Sequence, residues 1–515
     1  MPGHVADAPG QGVPPPPPQN AGAHLSDLLL SRLVAGLRLG AQTVGQSRPL
    51  RRAIVAACDR RVRAGYEQSV RAGCRPTALL AHRRDMALAI LHTMDRAMEA
   101  RLLGPATLGG VLNIIARELL LPRADKGDAA ARRRFQARYG TIPPSLLTIS
   151  PGKACNLRCQ GCYADSGPSP EKLAWPTFAR VVRQARELWG LRFFAISGGE
   201  PLAYRDQGRG VLDMAGEHRD CFFLVFTNGT LIDDAVARRL GELGNVTPAL
   251  SVEGLRQATD RRRGAGVFDQ VIAAMDRLRR HHVPFGLSMT ATRHNYRELL
   301  SDAVLDLFFG QMGALYGFLF HYMPIGRAAT LELMPTARER LWMLERMWEI
   351  VGGRHYFLAD FWNSGILADG CISAGGRGGY LYIDWNGAVC PCVFVPYSPV
   401  NIYTAYAQGK DLNDVWADPF FASIRKWQQA YNPGMGAPEP HPRGNLLRPC
   451  PIRDHYADFQ RLLALHEPDP VDANAQAALT DPAYQAGLEA FGRELAELAD
   501  PIWEERYAGV KEADA

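Results

Sequence analysis

Cys155-Asn156-Leu157-Arg158-Cys159-Gln160-Gly161-Cys162-Tyr163 sets three thiols within eight residues. Soft thiolates at this spacing suit an iron-sulfur cluster or zinc, and one short loop can wrap them around a single centre. A structural zinc site is closed by four ligands, usually two pairs from separate turns. A local triad leaves one metal position without a protein ligand, so the loop reads as a centre that keeps a corner for a small molecule.

Outward from the loop, the chain has the pattern of a parallel sheet. Upstream, the paired Pro143 and Pro144 push the backbone toward extended geometry and end a helical region, so residues 145–149 read as a strand that delivers the chain into the loop. Downstream, strands and helices alternate, the signature of a parallel sheet with crossover helices. The strands fall at 193–197, 222–226, 247–252, 285–290 and 317–322, with helices at 178–189, 233–243 and 268–281, which makes six strands in all. In barrel-like α/β folds the chemistry collects at the carboxyl ends of such strands.

The C-x3-C-x2-C spacing, followed by Gly198-Gly199-Glu200-Pro201, resembles the radical S-adenosylmethionine (SAM) enzymes. The resemblance implies a partial (β/α)6 barrel of the TIM type, an α/β fold. It also implies that Cys155, Cys159 and Cys162 hold three irons of a [4Fe-4S] cluster whose fourth iron chelates the amino and carboxylate groups of SAM. An electron, from a donor such as flavodoxin or ferredoxin, would then split the sulfonium to give a 5'-deoxyadenosyl radical that takes a hydrogen atom from the substrate. By the same resemblance Gly198, Gly199, Glu200 and Pro201 form the SAM amino-group site, and Thr227, Asn228, Ser251 and Glu253 supply contacts to the methionyl and ribose groups. Ser288, Thr290 and Arg293 close the fifth strand, where Arg293 would pair with the SAM carboxylate in the two-pronged way guanidinium allows. The family often has an aromatic residue just before the third cysteine and Asp where Glu253 stands; this chain has Gly161, with Tyr163 on the other side of Cys162.

A second cysteine group lies further on. Pro324-Ile325-Gly326-Arg327-Ala328 resembles the turn that precedes the auxiliary-cluster extension of the SPASM/twitch branch, and Gly387 through Cys392 contains its G-x4-C element. Cys371, Cys390, Cys392 and Cys450 are the expected ligands of a second, auxiliary [4Fe-4S] cluster, in the shorter twitch form because two auxiliary clusters need more cysteines than remain after Cys392. A structural zinc site using the same four is the alternative. Residues 380–384 and Asn386-Gly387 read as a β-hairpin with its turn, and Cys390 and Cys392, two apart in extended chain, would share a face.

Composition bounds the rest. The chain has 515 residues, 47% hydrophobic and 22% charged, which is ordinary for a globular protein. Ten cysteines, sparse but clustered, favour metal in a reducing compartment, hence a cytoplasmic, oxygen-sensitive protein. Residues 1–24, with five consecutive prolines, read as a disordered tail and not a secretory signal. Residues 25–140 read as a basic α-helical domain, with 21 Lys and Arg against 9 Asp and Glu between 26 and 138. One apolar face there is residues 29–37 and another 108–119. A solvated surface is the plain account of the excess charge. Peripheral contact with an anionic membrane stays open, whereas the absence of interleaved aromatics argues against nucleic acid. Cys58, Cys74 and Cys221 read as buried small hydrophobes.

The domain reading is therefore a core at 141–330, an auxiliary-cluster region at 331–460, and a linker with a C-terminal helix at 461–515. The expected activity is reductive cleavage of SAM to modify a lipid, cofactor, tetrapyrrole or peptide. The basic N-terminal domain and apolar residues 305–320 lean toward a hydrophobic substrate, and the N-terminus has no winged-helix pattern of the kind that binds precursor peptides. The competing class is a non-catalytic iron-sulfur or zinc protein on a barrel that has lost SAM chemistry.

Overall fold

The computed structural model describes residues 47–73, 76–109, 126–432 and 444–508. The Pro-rich stretch, residues 29–37, Cys74 and most of 108–119 lie outside the described residues. The six expected strands form in order: β1 (Leu146–Ile149), β2 (Phe193–Ile196), β3 (Phe222–Thr227), β4 (Val246–Val252), β5 (Gly286–Ala291) and β6 (Tyr316–His321). Each pairs in parallel with the next.

The sheet does not stop at six. β7 (Phe357–Asp360) adds in parallel beside β6, and β8 (Tyr380–Ile383) adds in parallel beside β1. β8 also turns at residues 384–387 into β9 (Ala388–Cys390), the expected hairpin, with Tyr382 opposite Cys390. The auxiliary region is thus joined to the core through backbone hydrogen bonds. Among the described residues β7 and β8 do not pair, so the sheet curls without closing. The curl shows in side chains that meet across it: Phe226 of β3 lies 6.0 Å from Phe318 and 5.7 Å from Phe320 of β6, and Phe361 lies 6.3 Å from Tyr380 across the open seam.

Alternation along each strand assigns the two faces. Leu147, Phe194, Phe223, Leu250 and Leu287 are fully buried on the outer face. They meet the helices Trp175–Trp189, Asp234–Leu243 and Val267–Arg280, which bury Phe178, Val182, Leu240, Val271 and Leu278. At about 1.5–3 kcal/mol per buried large apolar side chain, this layer is the main support of the sheet. The other face, Thr148, Ala195, Phe226, Ser251, Ser288 and Phe318 among others, lines an interior cavity.

At the N-terminal side, helices Arg48–Arg71 and Thr77–Glu99 form a hairpin, joined by the buried Arg51 with Asp95 at 2.7 Å and Glu99 at 3.3 Å. His82 docks it to the body, stacked on Trp348 at 3.9 Å and 2.8 Å from the Tyr507 hydroxyl. Cys58 is exposed on this hairpin, contrary to the buried position expected of it. The C-terminal helix Pro482–Trp503, capped by Asp481, buries Leu488, Phe491 and Leu495. Residues 305–320 divide between core and cavity: Leu305, Phe308 and Phe309 are buried in the core, whereas Phe318 and Phe320 line the cavity. No helix among the described residues is long and apolar enough to cross a membrane.

Candidate SAM and cluster site

The cysteine loop leaves the carboxyl end of β1 and is held from three sides. The Cys155 N–H donates to Gly167 O at 2.9 Å, the Gln160 N–H to Arg262 O at 3.0 Å, and the Arg327 N–H to Cys162 O at 2.9 Å. The Arg327 guanidinium also donates to Cys159 O at 3.0 Å and to Ser166 O. Through these bonds the turn 324–328 pins the loop in place. Gly326, at φ +66°, makes this approach possible, because any Cβ there would run into the carbonyls of Cys162 and Tyr163.

Gly161 accounts for the departure from the family pattern. Its φ is +61°, and a Cβ would come within 2.6 Å of the Tyr322 ring. Tyr322, just beyond β6, and Tyr163 both line the cavity, so aromatic surface beside the loop comes from these two positions. The Tyr163 hydroxyl accepts from the Gly198 N–H at 3.0 Å.

Cys155, Cys159, Cys162, Gly198, Gly199, Thr227, Asn228, Ser251, Ser288 and Thr290 all stand on the wall of one cavity of about 400 Å³. The Gly198-Gly199 turn is zipped to the chain ahead of Cys155, with Gly199 N–H to Gly152 O at 2.9 Å and Glu200 N–H to Ala154 O at 2.8 Å. Glu200 and Pro201 are buried behind that wall. The Glu200 carboxylate accepts from Leu202 N at 3.0 Å, Thr227 Oγ1 at 2.7 Å and Asn228 N at 2.8 Å, tying the end of β2 to the end of β3. Burial pushes its acid group up from the usual range, against those three donors.

Two other expected contacts fall elsewhere. The Arg293 guanidinium donates to Met334 O at 3.2 Å, away from the cavity wall. Glu253 is fully buried, and its Oε1 accepts from Arg262 at 2.5 Å and from Arg263 Nε at 2.8 Å, leaving Oε2 without a partner. It is Arg262 and Arg263 that reach the wall, and Arg263 Nη1 lies 3.9 Å from Cys159 Sγ. The sequence signal was the run Arg261-Arg262-Arg263, which has the look of a solvated helix end. Only the buried carboxylate on the neighbouring strand end turns two of the three inward.

The second cysteine group gathers between β8, β9 and the start of the C-terminal region. Ala374 N–H donates to Pro391 O at 2.8 Å and Tyr380 N–H to Ile372 O at 2.9 Å, which sets the Cys371 turn against the Cys390–Cys392 segment. Cys371 and Cys392 both lie close enough to act electrostatically on Cys450, while Cys392 is the one cysteine acting on Cys390. Cys371, Cys392 and Cys450 thus form one electrostatic group, while the carboxylates that act on Cys390 are those of Asp384 and Asp472. Among the described residues no three Cys, His, Asp or Glu side chains converge as they would on one metal ion.

Residues 149–303 match the family model of the radical SAM superfamily, and residues 371–435 match that of the SPASM iron-sulfur cluster-binding domain. The chain thus carries a radical SAM region followed by a SPASM region. It is 29% identical to mycofactocin maturase MftC of Mycobacterium ulcerans (strain Agy99), over 59% of this chain and 82% of that one. It is 26% identical to the AdoMet-dependent heme synthase of Methanosarcina barkeri (strain Fusaro / DSM 804), over 51% of this chain and 80% of that one. Streptococcus suis SuiB bound to S-adenosylmethionine superposes with a TM-score of 0.47 at 18% identity, covering 64% of this chain and 83% of that one.

As a radical SAM enzyme the chain takes a [4Fe-4S] cluster and SAM as cofactors, and its SPASM region takes auxiliary iron-sulfur. When bound, the first cluster supplies the electron that cleaves SAM reductively. The residues present fit such a group: three thiols on one cavity wall, a glycine turn with no side chain in the way, and donors aimed at sulfur. Leu157 N–H points to Cys155 Sγ at 3.4 Å and Asn228 Nδ2 lies 3.8 Å from it. Burial pushes the Cys155 thiol up to about 11, so its thiolate depends on the positive charge of a metal.

Proposed function

We propose that this chain uses SAM cleavage to take a hydrogen atom from an apolar or aromatic side chain of a peptide. The observation that carries the reading is the make-up of the cavity beyond the polar strand ends. Phe226, Phe318, Phe320, Phe361 and Phe394 form its wall, and among the described residues Arg262 and Arg263 are the cations on it, both engaged by Glu253. A tetrapyrrole would bring several carboxylates into this space, and burying them without partners is costly. An apolar side chain meets the aromatic wall without that cost. Among the relatives both kinds of name occur, a mycofactocin maturase and a heme synthase.

In this reading Cys155, Cys159 and Cys162 hold the SAM-binding cluster, and Cys371, Cys392 and Cys450 hold one auxiliary cluster. Gly198, Gly199, Thr227, Asn228, Ser251, Ser288 and Thr290 bound the SAM pocket, with Glu200 and Glu253 acting from behind it. A flavodoxin or ferredoxin donates the electron in the cytoplasm. The exposed arginines of helix Arg48–Arg71 provide for contact with an anionic membrane surface.

The test is anaerobic turnover of the reconstituted protein with dithionite and SAM, given either short deuterated peptides encoded beside its gene or a deuterated coproporphyrin. Deuterium appearing in 5'-deoxyadenosine from a peptide supports the proposal. Transfer from the porphyrin alone overturns the peptide reading, and no 5'-deoxyadenosine under any condition overturns SAM cleavage itself.

A further inference from the structure

Tyr380 stands between the cavity and the second cysteine group. It opens β8, opposite Leu146 of β1, and its side chain is on the cavity wall. Its hydroxyl lies 2.8 Å from Cys392 Sγ, in a buried setting. The same oxygen accepts the Val393 N–H at 3.3 Å, so a lone pair is used there and the O–H remains to be given to sulfur. A second donor, the Phe394 N–H, approaches the same sulfur at 3.5 Å.

We propose that Tyr380 is a positioning residue joining the substrate cavity to the auxiliary centre: its hydroxyl donates to the Cys392 sulfur and holds that centre at a raised reduction potential. The proposal rests on Cys392 being a ligand, as read above. A thiolate bound to iron carries no proton, so in the loaded protein the phenol is the donor of this pair. Hydrogen bonds to cluster and ligand sulfurs stabilise the more negative, reduced state and so raise the potential. Tyr382, two residues along the same face of β8, gives its hydroxyl to Ser150 Oγ at 2.9 Å instead, which makes it a matched control.

The experiment is a redox titration of the holoprotein followed by electron paramagnetic resonance, with the auxiliary signal recognised as the one that SAM leaves unchanged. Tyr380→Phe keeps the ring on the wall and removes the donor. Expected is a shift of the auxiliary midpoint to lower potential at full iron content, with the SAM-sensitive signal unmoved and Tyr382→Phe moving neither. An unmoved auxiliary midpoint overturns the proposal, as does loss of the auxiliary irons from Tyr380→Phe, which would make the residue part of cluster assembly. Iron analysis of Cys392→Ser separates the two layers: full iron in that variant refutes the ligand reading, whereas loss of about four irons leaves the Tyr380 result to stand or fall alone.

Discussion

A methyl group at position 161 would have to enter both a left-handed backbone conformation, φ +61°, and the space of the Tyr322 ring at 2.6 Å. Such strain costs on the order of 1–3 kcal/mol. Gly161→Ala is expected to lower the thermal stability by that amount and to weaken SAM binding, read by calorimetric melting and by the spectral change on adding SAM; a variant that binds SAM like the parent would show that Tyr322 gives way freely. At Cys159, whose sulfur has Arg263 as a neighbour at 3.9 Å, removal of the thiol acts on the metal directly. Cys159→Ala is expected to lose SAM-dependent 5'-deoxyadenosine formation by at least a hundredfold. Retained product in that variant would remove the loop from the chemistry.

The hairpin of β8 and β9 is the element that ties the auxiliary region to the core, and its turn contains a charged group under burial. Asp384 accepts from Asn386 N at 2.9 Å and Ala388 N at 2.8 Å, yet burial pushes its acid group up to about 6. Because the folded protein holds this proton more tightly than the unfolded chain does, the contribution to stability is complete below about pH 4 and is lost as the pH rises to 6. The loss amounts to about 3 kcal/mol and is flat above that range. Asp384→Asn, which keeps the acceptor oxygen, is therefore expected to raise the melting temperature at pH 8 and to leave it unchanged near pH 4. Equal effects at both values would mean that another group governs this window.

Across the whole molecule, the N-terminal hairpin is fastened to the body by His82, which stacks on Trp348 and meets the Tyr507 hydroxyl. Burial, with Arg84 and Arg506 nearby, holds its imidazole down to about 4, so the docked state keeps the ring neutral. The free ring protonates near 6.5, and docking stability is present above that value and lost as the pH falls toward 4, by up to about 3 kcal/mol. Amide hydrogen exchange in residues 77–99 is expected to quicken between pH 7 and pH 5 relative to the rest of the chain, after correction for the intrinsic rate. Uniform exchange would place the weak point elsewhere. The molecule is also expected to bind about eight irons, two clusters' worth, with about four lost in Cys450→Ser. Twelve irons would require a third cluster, whereas after Cys392 the sequence has only Cys450 to offer.

Chemistry carried by adjacent residues was legible in the chain alone. Three thiols in one loop, a Gly-Gly-Glu turn at a strand end, and six apolar strands separated by helices are local patterns, and spacing fixes them before any long-range contact forms. The hairpin at Asn386-Gly387 is of the same kind. What the folded protein alone decided are the meetings of distant segments. β7 and β8 extend the sheet past the sixth strand because unpaired edges take up extended chain from far along the sequence. Arg262 and Arg263, not Arg293, reach the cavity because Glu253 is buried beneath them, and that burial is a property of the whole packing. Tyr322 against Gly161, Arg327 on Cys159 of the cysteine loop and Tyr380 on Cys392 join residues 161, 168 and 12 positions apart. A sequence pattern records what a residue can do; which partner it does it with depends on how the sheet curls.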